Sequence, residues 1–180
     1  MNFVPSTKLA GIVLIESQVF SDNRGYFLES YNQKTFADNG IAVNFVQDNH
    51  SYSKELAVLR GLHLQKPPYA QDKLVRVTRG KVFDVVVDLR PGSATFAQWE
   101  AYELSAENFK QLFIPAGFAH GFQTLTPDVE FQYKCSNFYN KESEVGINYL
   151  DPDINISWPL PNPVMSEKDK VNPFLSSLKL

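Results

Sequence analysis

Two short segments of this chain carry histidines that could exchange protons with a substrate. His63 lies in the segment Arg60–Gln65, and His120 lies in the segment Pro115–Gly121. A histidine two residues after His63 would complete a common metal-binding pair, but Gln65 occupies that position, and a neutral amide is a weak ligand for a transition metal. Imidazole has an ordinary pKa of about 6.5 and suits proton transfer near neutral pH. These residues therefore favour proton transfer over metal-assisted oxidation.

The elements that must position these histidines are β-strands. Short runs rich in valine, phenylalanine and tyrosine alternate with turn residues, a pattern typical of an antiparallel sandwich or barrel. We predict strands over residues 9–15, 26–31, 57–64, 73–78, 81–89, 98–104, 111–114, 118–124 and 129–138. Helix is limited to residues 31–39, closed by Gly40, and to the tail after Ser166. The predicted fold class is all-β, and a jelly-roll barrel with minor helices is its simplest architecture, because closure protects strand edges and leaves a mouth for a ligand.

Strand alternation decides which side chains accompany His63. Residues two apart share a face, so His63 shares a face with Leu59, Gly61 and Gln65. Arg60 points away from that face unless Gly61 marks a bulge that redirects it. By residue type alone, a histidine in a strand is more often a structural residue than a base.

Length, charge and cysteine content narrow the class of protein. The chain of 180 residues forms one globular domain, residues 1–180, because no linker, repeat or low-complexity run divides it. A net charge of −3 gives no broad basic field, so we expect no nucleic-acid polymer as a partner. The apolar run Leu9–Ile15 is too short to span a bilayer, and we expect no membrane as a partner. The only cysteine, Cys135, has no partner for a disulfide, which fits the cytoplasm.

Longer motifs follow one another along the chain from about residue 5 to residue 170. They are Asp22–Glu29, Val46–Ser51, Arg60–Gln65, Gln71–Val77, Phe83–Arg90, Pro115–Gly121 and Ser166–Asp169. In content and order they resemble the dTDP-4-dehydrorhamnose 3,5-epimerase family. The resemblance implies a cupin-type jelly-roll barrel. It also implies epimerisation at C3 and C5 of dTDP-4-dehydro-6-deoxy-D-glucose, with no cofactor and no bound metal.

The resemblance assigns four residues to the reaction. It makes His63 the general base and Tyr133 the acid on the opposite face of the sugar, because a proton removed beside the C4 ketone and returned from the other side inverts the carbon. It makes Asp169 the carboxylate that orients His63, and it places Lys73 near the C4 oxygen, where an ammonium stabilises an enolate. From residue type alone, Tyr133 equally suits core packing, Lys73 an ordinary strand, and Asp169 a solvated turn.

The resemblance also implies a set of substrate-binding residues. Cationic side chains would meet the diphosphate, polar side chains the rest of the substrate, and a tyrosine ring the thymine. The matching positions are Arg24, Glu29, Gln47, Asp48, Asn49, Arg60, His120, Tyr139, Glu144 and Lys168. A further implication is a homodimer in which the segment that carries Arg24 reaches the site of the neighbouring subunit.

Three function classes stay open at this point. The first is a cofactor-free epimerase of a dTDP-4-keto-6-deoxysugar, with a single-centre 3- or 5-epimerase as its close variant. Gln65 argues against the second, a metal-dependent cupin. The third, a non-catalytic carbohydrate-binding jelly roll, would not need a base, an orienting carboxylate, a cation and a phenol together. Tyr149–Asp151 and Met165 depart from the family pattern, but neither replaces a residue assigned to the reaction.

Overall fold

The computed structural model describes residues 1–179, and most of its regular structure is β-sheet. The strands are β1 (Asn2–Pro5), β2 (Val13–Glu16), β3 (Phe20–Asp22), β4 (Gly25–Phe27), β5 (Gln47–Ser53), β6 (Leu59–Gln65), β7 (Lys73–Arg79), β8 (Lys81–Asp88), β9 (Trp99–Ser105), β10 (Lys110–Ile114), β11 (Phe118–Thr124), β12 (Val129–Cys135) and β13 (Glu144–Gly146). The helices are α1 (Gln33–Asp38) and α2 (Glu167–Lys170), and a short 3-10 turn follows at Leu175–Ser177. The predicted all-β class is confirmed.

Two antiparallel sheets face each other. The first has the strand order β1-β2-β10-β7-β12-β5, and the second has the order β13-β6-β11-β8-β9. Inward side chains of both sheets form the main apolar core, in which Val75 and Phe131 of the first sheet lie with Val86 and Phe122 of the second. The rings of Phe122 and Phe131 stack with their centroids 4.3 Å apart. The hairpin β3–β4 stands apart from both sheets.

The second sheet is also covered on its outer face. Leu62, Val85 and Ala119 point outward and pack with Ile147 and Leu175 of the C-terminal segment. Burial on both faces explains why β8 has apolar residues on both faces, at Val82, Phe83 and 85–87, since a strand enclosed between two layers needs no polar side. The same C-terminal segment carries α2, which lies against β6.

Both predicted helices are present. Asn32 caps α1 by accepting the backbone N–H of Thr35, and Ser166 caps α2 by accepting that of Asp169. Among residues 1–179, no helix has the length and apolar composition needed to cross a membrane.

Some predicted strands differ from those observed. The predicted strand over residues 9–15 begins only at Val13, because the chain turns at Gly11, whose φ of +101° suits glycine. The predicted strand over residues 26–31 is reduced to β4, which pairs with β3 in the hairpin. The sequence pattern does not predict β1, β3, β5 or β13. The first, second and last of these have only three or four residues, and β5 lacks the apolar alternation of a core strand.

A β-bulge lies between the two segments that carry the histidines. The pairing of β6 with β11 shifts register at Gly61, so that two residues of β6 face the single residue Gly121. Arg60 and His63 consequently share the inward face. The bulge at Gly61 is the exception to strand alternation that the sequence pattern required for Arg60 to face this way. A Cβ atom on Gly61 would lie 2.7 Å from the Cα of Gly121. The two strands therefore approach too closely for a side chain at this position.

We expect Gly61→Ala to destabilise the fold more than Gly92→Ala. Both glycines have positive φ, +113° and +76°, so each substitution strains the backbone by about 1–3 kcal/mol. At Gly61 the new methyl also meets backbone atoms, which adds roughly 1–3 kcal/mol, whereas at Gly92 it meets nothing within 4 Å. Urea unfolding would measure both free energies. An equal decrease in the free energy of unfolding for both variants would contradict the explanation by close contact at Gly61.

Candidate active site

The inward faces of the two sheets enclose two adjoining cavities beyond the apolar core. A larger cavity of about 570 Å³ and a smaller one of about 350 Å³ share His63, Lys73 and Tyr133 in their walls. The larger is also bordered by Arg60, His120, Lys168 and Asp169, and the smaller by Gln47, Asn49, Tyr139 and Glu144. The structure thus brings together every predicted site residue except Arg24, Glu29 and Asp48.

His63 is held by the carboxylate of Asp169. Although distant in sequence, His63 Nε2 lies 2.7 Å from Asp169 Oδ1, because α2 rests on β6. Burial raises the pKa of Asp169, but hydrogen bonds with His63, Gly61 and Ser166 outweigh burial and hold that pKa below its ordinary value. An ionised carboxylate only accepts hydrogen bonds. Nε2 of His63 therefore carries a hydrogen, and in the neutral ring Nδ1 has the lone pair that a general base needs.

A second histidine–carboxylate pair lies beside the first. His120 is the cross-strand partner of His63, and its Nε2 lies 2.9 Å from Oδ2 of Asp84. Asp84 is fully buried, and no other described residue bonds its Oδ1. Burial raises the pKa of Asp84, while the charges of His120 and Lys73 act in the opposite direction. The second sheet thus carries two oriented imidazoles side by side.

Asp84 is the residue of this site that sequence analysis misses. It lies inside the motif Phe83–Arg90, to which no role is assigned from sequence. A usable signal is present, because Asp84 alternates with Val82 and Val86 and is the one polar residue between Lys81 and Asp88, the two ends of the strand. A carboxylate in a buried strand requires a partner, and the partner is often part of a functional group of residues.

Lys73 and Tyr133 approach the cavities from the first sheet, on the neighbouring strands β7 and β12. Burial lowers the pKa of the Lys73 ammonium, and the nearby Cys135, Asp84 and Glu144 oppose that change. Burial raises the pKa of the Tyr133 phenol, which stays protonated near neutral pH. The first sheet therefore presents a buried lysine amine and a protonated phenol to the two histidines of the second.

Tyr139, Glu144 and Lys168 form a hydrogen-bonded group at the rim of these cavities. Tyr139 Oη donates to Glu144 Oε2 at 2.9 Å, and Lys168 Nζ makes an ion pair with the same oxygen. Burial raises the pKa of Glu144, but the bonds from Lys168 and Tyr139 outweigh it and keep that pKa below its ordinary value. The Tyr139 residue is 55% exposed, so a planar ligand can stack on its ring.

Three predicted binding residues lie away from the cavities of their own chain. Residues 47 and 49 of β5 point inward, so alternation puts Asp48 on the outer face, where it pairs with Lys134. Arg24 belongs to the hairpin β3–β4, pairs with Asp22 and has a side chain that is 85% exposed. Glu29 follows the hairpin and borders neither cavity.

Gln65 stands at the position where a metal-binding barrel would supply a second histidine. Its amide oxygen accepts the backbone N–H of Asn140, and its amide nitrogen donates to the carbonyls of Tyr69 and Phe138. The amide is thus directed at loop backbone rather than at a cation. Within residues 1–179, no group of three or more His, Cys, Asp or Glu is arranged to hold a metal ion.

We expect NMR to find His63 in the Nε2–H tautomer. The chain has three histidines, so two-bond 15N–1H correlation spectra of histidine-labelled protein can resolve each ring. Asp169→Asn should remove this preference, because an amide both donates and accepts. His50→Gln deletes the signal of an exposed histidine and aids assignment. An unchanged Nε2–H tautomer in Asp169→Asn would contradict control by the carboxylate.

Comparison with known proteins finds relatives that match over almost the whole chain. Residues 6–177 match the family model described as dTDP-4-dehydrorhamnose 3,5-epimerase. The dTDP-4-dehydrorhamnose 3,5-epimerase of Shigella flexneri is 54% identical over 170 residues, which are 94% of this chain and 93% of that protein. The matched range includes all the residues that border the two cavities.

Solved structures agree with the sequence match. The dTDP-6-deoxy-D-glucose-3,5-epimerase of Legionella pneumophila, in complex with dTDP-4-keto-L-rhamnose, has a TM-score of 0.94 and 44% identity and covers 99% of this chain and 94% of its own. ChmJ, a 3'-monoepimerase from Streptomyces bikiniensis, has a TM-score of 0.89 and 34% identity, with 96% and 87% covered. These likenesses confirm the predicted cupin-type jelly roll. By sequence and by fold, the chain belongs to the dTDP-4-dehydrorhamnose 3,5-epimerase family.

Proposed function

We propose that this protein is an isomerase that inverts C3 and C5 of dTDP-4-dehydro-6-deoxy-D-glucose and yields dTDP-4-dehydro-L-rhamnose, in dTDP-L-rhamnose biosynthesis. The observation that carries the proposal is the set of groups around one cavity: an oriented imidazole, a buried lysine amine and a protonated phenol, from His63, Lys73 and Tyr133. We also propose a cytoplasmic location, since the only cysteine, Cys135, is a buried free thiol.

The first step is removal of a proton beside the C4 ketone. Nδ1 of His63 accepts the proton from C3 or C5, and the ionised Asp169 stabilises the imidazolium that results. The electron pair of the broken C–H bond moves into an enolate, whose negative charge lies on the C4 oxygen. Lys73 donates a hydrogen bond to that oxygen, and the attraction is stronger in this buried site than in water.

The second step is return of a proton from the other face. The phenol of Tyr133 protonates the same carbon, the enolate becomes a ketone again, and the carbon is inverted. The proton on His63 and the phenolate of Tyr133 then return to their starting states by exchange with solvent. His63 lies on the second sheet and Tyr133 on the first, so a sugar between the sheets would have the base on one side and the acid on the other.

The remaining cavity residues suit recognition of a dTDP-linked sugar. Tyr139 would stack on thymine, a contact worth about 1–3 kcal/mol. Arg60 and Lys168 are cations suited to the diphosphate. Hydrogen-bonding groups for the rest of the substrate come from Gln47, Asn49, His120 and Glu144.

The functional unit in this proposal is a homodimer in which Arg24 and Glu29 enter the site of the partner. Both lie outside the cavities of their own chain. The hairpin that carries Arg24 also exposes Phe20, Tyr26 and Phe27, the last by 68%, and such apolar surface is typical of an interface. β5 is an edge strand of the first sheet and borders the smaller cavity, so a second chain could reach the site there. Asp48, on the outer face of β5, would lie near the same interface.

Single-centre epimerisation is the main alternative, because a 3'-monoepimerase shares this fold. The choice depends on whether Tyr133 reaches both C3 and C5. The higher identity to a relative named for both centres favours double inversion. A metal-dependent cupin is disfavoured by the bonded amide of Gln65. A carbohydrate-binding module would have no need for a buried His63–Asp169 pair.

We expect His63→Ala to abolish exchange of the C3 and C5 hydrogens of dTDP-4-keto-6-deoxyglucose with solvent deuterium. NMR spectra of the sugar nucleotide would measure this exchange. Tyr133→Phe should keep part of this exchange and slow inversion by about 10²–10⁴-fold, since the base remains and the acid is lost. His50→Gln and Tyr52→Phe, both on the outer face of β5, are matched controls. Full exchange in His63→Ala would refute the assignment of His63 as the general base. Deuterium at only one of the two carbons in the wild type would indicate a single-centre enzyme.

A shared site predicts complementation between two inactive variants. Arg24→Ala and His63→Ala should each be defective alone. After subunit exchange, half of the dimers are mixed and one of their two sites is intact, so about one quarter of wild-type activity should return. A mixture of Asp169→Asn with His63→Ala is the control, because both changes fall in the same chain's site and no recovery is expected. Absence of recovery in verified Arg24→Ala/His63→Ala heterodimers would reject the shared site.

A further inference from the structure

Gln65 is a buried amide whose hydrogen bonds all go to loop backbone. It is 6% exposed and lies at the end of β6, two residues after His63. Its Nε2 donates to the carbonyl of Tyr69 at 2.6 Å and to that of Phe138 at 3.2 Å, and its Oε1 accepts the N–H of Asn140 at 2.7 Å. One side chain thus joins the segments 66–72 and 137–140.

Two of the three partners of Gln65, Phe138 and Asn140, lie immediately before and after Tyr139. The N–H of Tyr139 itself donates to Gln47 Oε1 at 3.0 Å, and its hydroxyl donates to Glu144, the cross-strand partner of Gln65. The ring of Tyr139 is exposed, so core packing does not fix its position. Hydrogen bonds from the cavity wall hold the backbone on both sides of it.

Two other amides support the same connection. Gln71 Nε2 donates to the carbonyl of Asn137 at 2.7 Å, and Asn137 Nδ2 donates to the carbonyl of Pro68 at 3.1 Å. Both bonds join the same two segments at their exposed side. Gln65 is the deeply buried member of this group, because it alone extends from the strand that carries His63.

We propose that Gln65 is a positioning residue for nucleotide recognition: it fixes the 137–140 loop and so holds the Tyr139 ring ready to receive the base. The inference rests on the proposed function, in which Tyr139 stacks on thymine. It gives a reason for an amide at this position. An amide offers two N–H donors on one atom and a carbonyl acceptor, which match two carbonyls and one N–H. An imidazole has at most one N–H on each nitrogen, and a carboxylate has none.

Two substitutions remove this connection in different ways. Gln65→Met keeps the length of the side chain and removes all three bonds. Gln65→Glu keeps the shape but directs a carboxylate at two carbonyl oxygens. Because a disordered loop must be ordered on binding, we expect each to weaken dTDP binding by about 10- to 100-fold. The base and acid are untouched, so KM for the nucleotide sugar should rise by a similar factor while kcat changes less than about 3-fold.

Gln123→Met is a matched control. Gln123 is another buried amide that bonds a loop through both ends, since its Nε2 donates to the carbonyl of Leu160 and its Oε1 accepts the N–H of the same residue. It borders neither cavity. Its loss should lower thermal stability as much as the loss of Gln65 and leave dTDP affinity unchanged, which separates positioning from a general effect on the fold.

The test is calorimetric titration with dTDP in a double-mutant cycle with Tyr139→Ala. Gln65→Met should weaken binding in the wild-type background and have little further effect when Tyr139 is already alanine, because the two residues act through one contact. The inference is overturned if folded Gln65→Met and Gln65→Glu bind dTDP with wild-type affinity. It is also overturned if these substitutions lower the affinity for dTDP by the same factor when Tyr139 is already alanine. Failure of the wild type to bind dTDP is a different outcome, and it would overturn the nucleotide-sugar function itself together with this inference.

Discussion

The close approach of β6 and β11 at Gly61 and Gly121 is the constraint on which the site depends. A Cβ atom on either glycine would lie 2.7 Å from a backbone atom of the opposite strand. The bulge at this contact interrupts the alternation of β6, so Arg60 and His63, an odd number of residues apart, face one cavity. Just beyond the bulge His63 and His120 become neighbours. A register without the bulge would turn Arg60 to the opposite face of the sheet and away from this cavity.

The inward face of each sheet changes from apolar to polar along its strands. In β12, Val129 and Phe131 belong to the core, whereas Tyr133 borders the cavities. In β7, Val75 belongs to the core, whereas Lys73, at the start of the strand, borders the cavities. The apolar part stabilises the sandwich, and in the polar part each of the two imidazoles, His63 and His120, has a carboxylate partner. The low dielectric that makes unpaired charge costly also strengthens the attraction between an ammonium and an enolate. Stability and the proposed chemistry therefore use the same strands at different depths.

The sequence predicts the core of this fold well and its cavity walls poorly. Strands that are rich in apolar residues on both faces, such as β8 and β11, follow from residue type, although Asp84 and His120 interrupt their inward faces. β5 does not, because Gln47 and Asn49 face a cavity and give no apolar period. Family resemblance recovers the residues around the base, but it cannot say that Asp48 points outward, which depends on strand phase. The bonds of Gln65 also lie beyond prediction, since they join loops far apart in the chain.

The His63–Asp169 pair depends on a layer that is not part of either sheet. After β13 the chain crosses the outer face of the second sheet, where Asp151 Oδ2 accepts the N–H of Leu175 at 2.6 Å and Asn148 donates to the carbonyl of Pro173 at 2.9 Å. Asp169 and Lys168 lie on α2 within this segment. The carboxylate that orients the imidazole and a cation suited to the diphosphate are thus delivered by the same covering layer. Loosening of this layer would move Asp169 and Lys168 away from the site together, even if the two sheets kept their pairing. The packing of the layer against the second sheet is therefore as necessary to the proposed chemistry as the barrel itself.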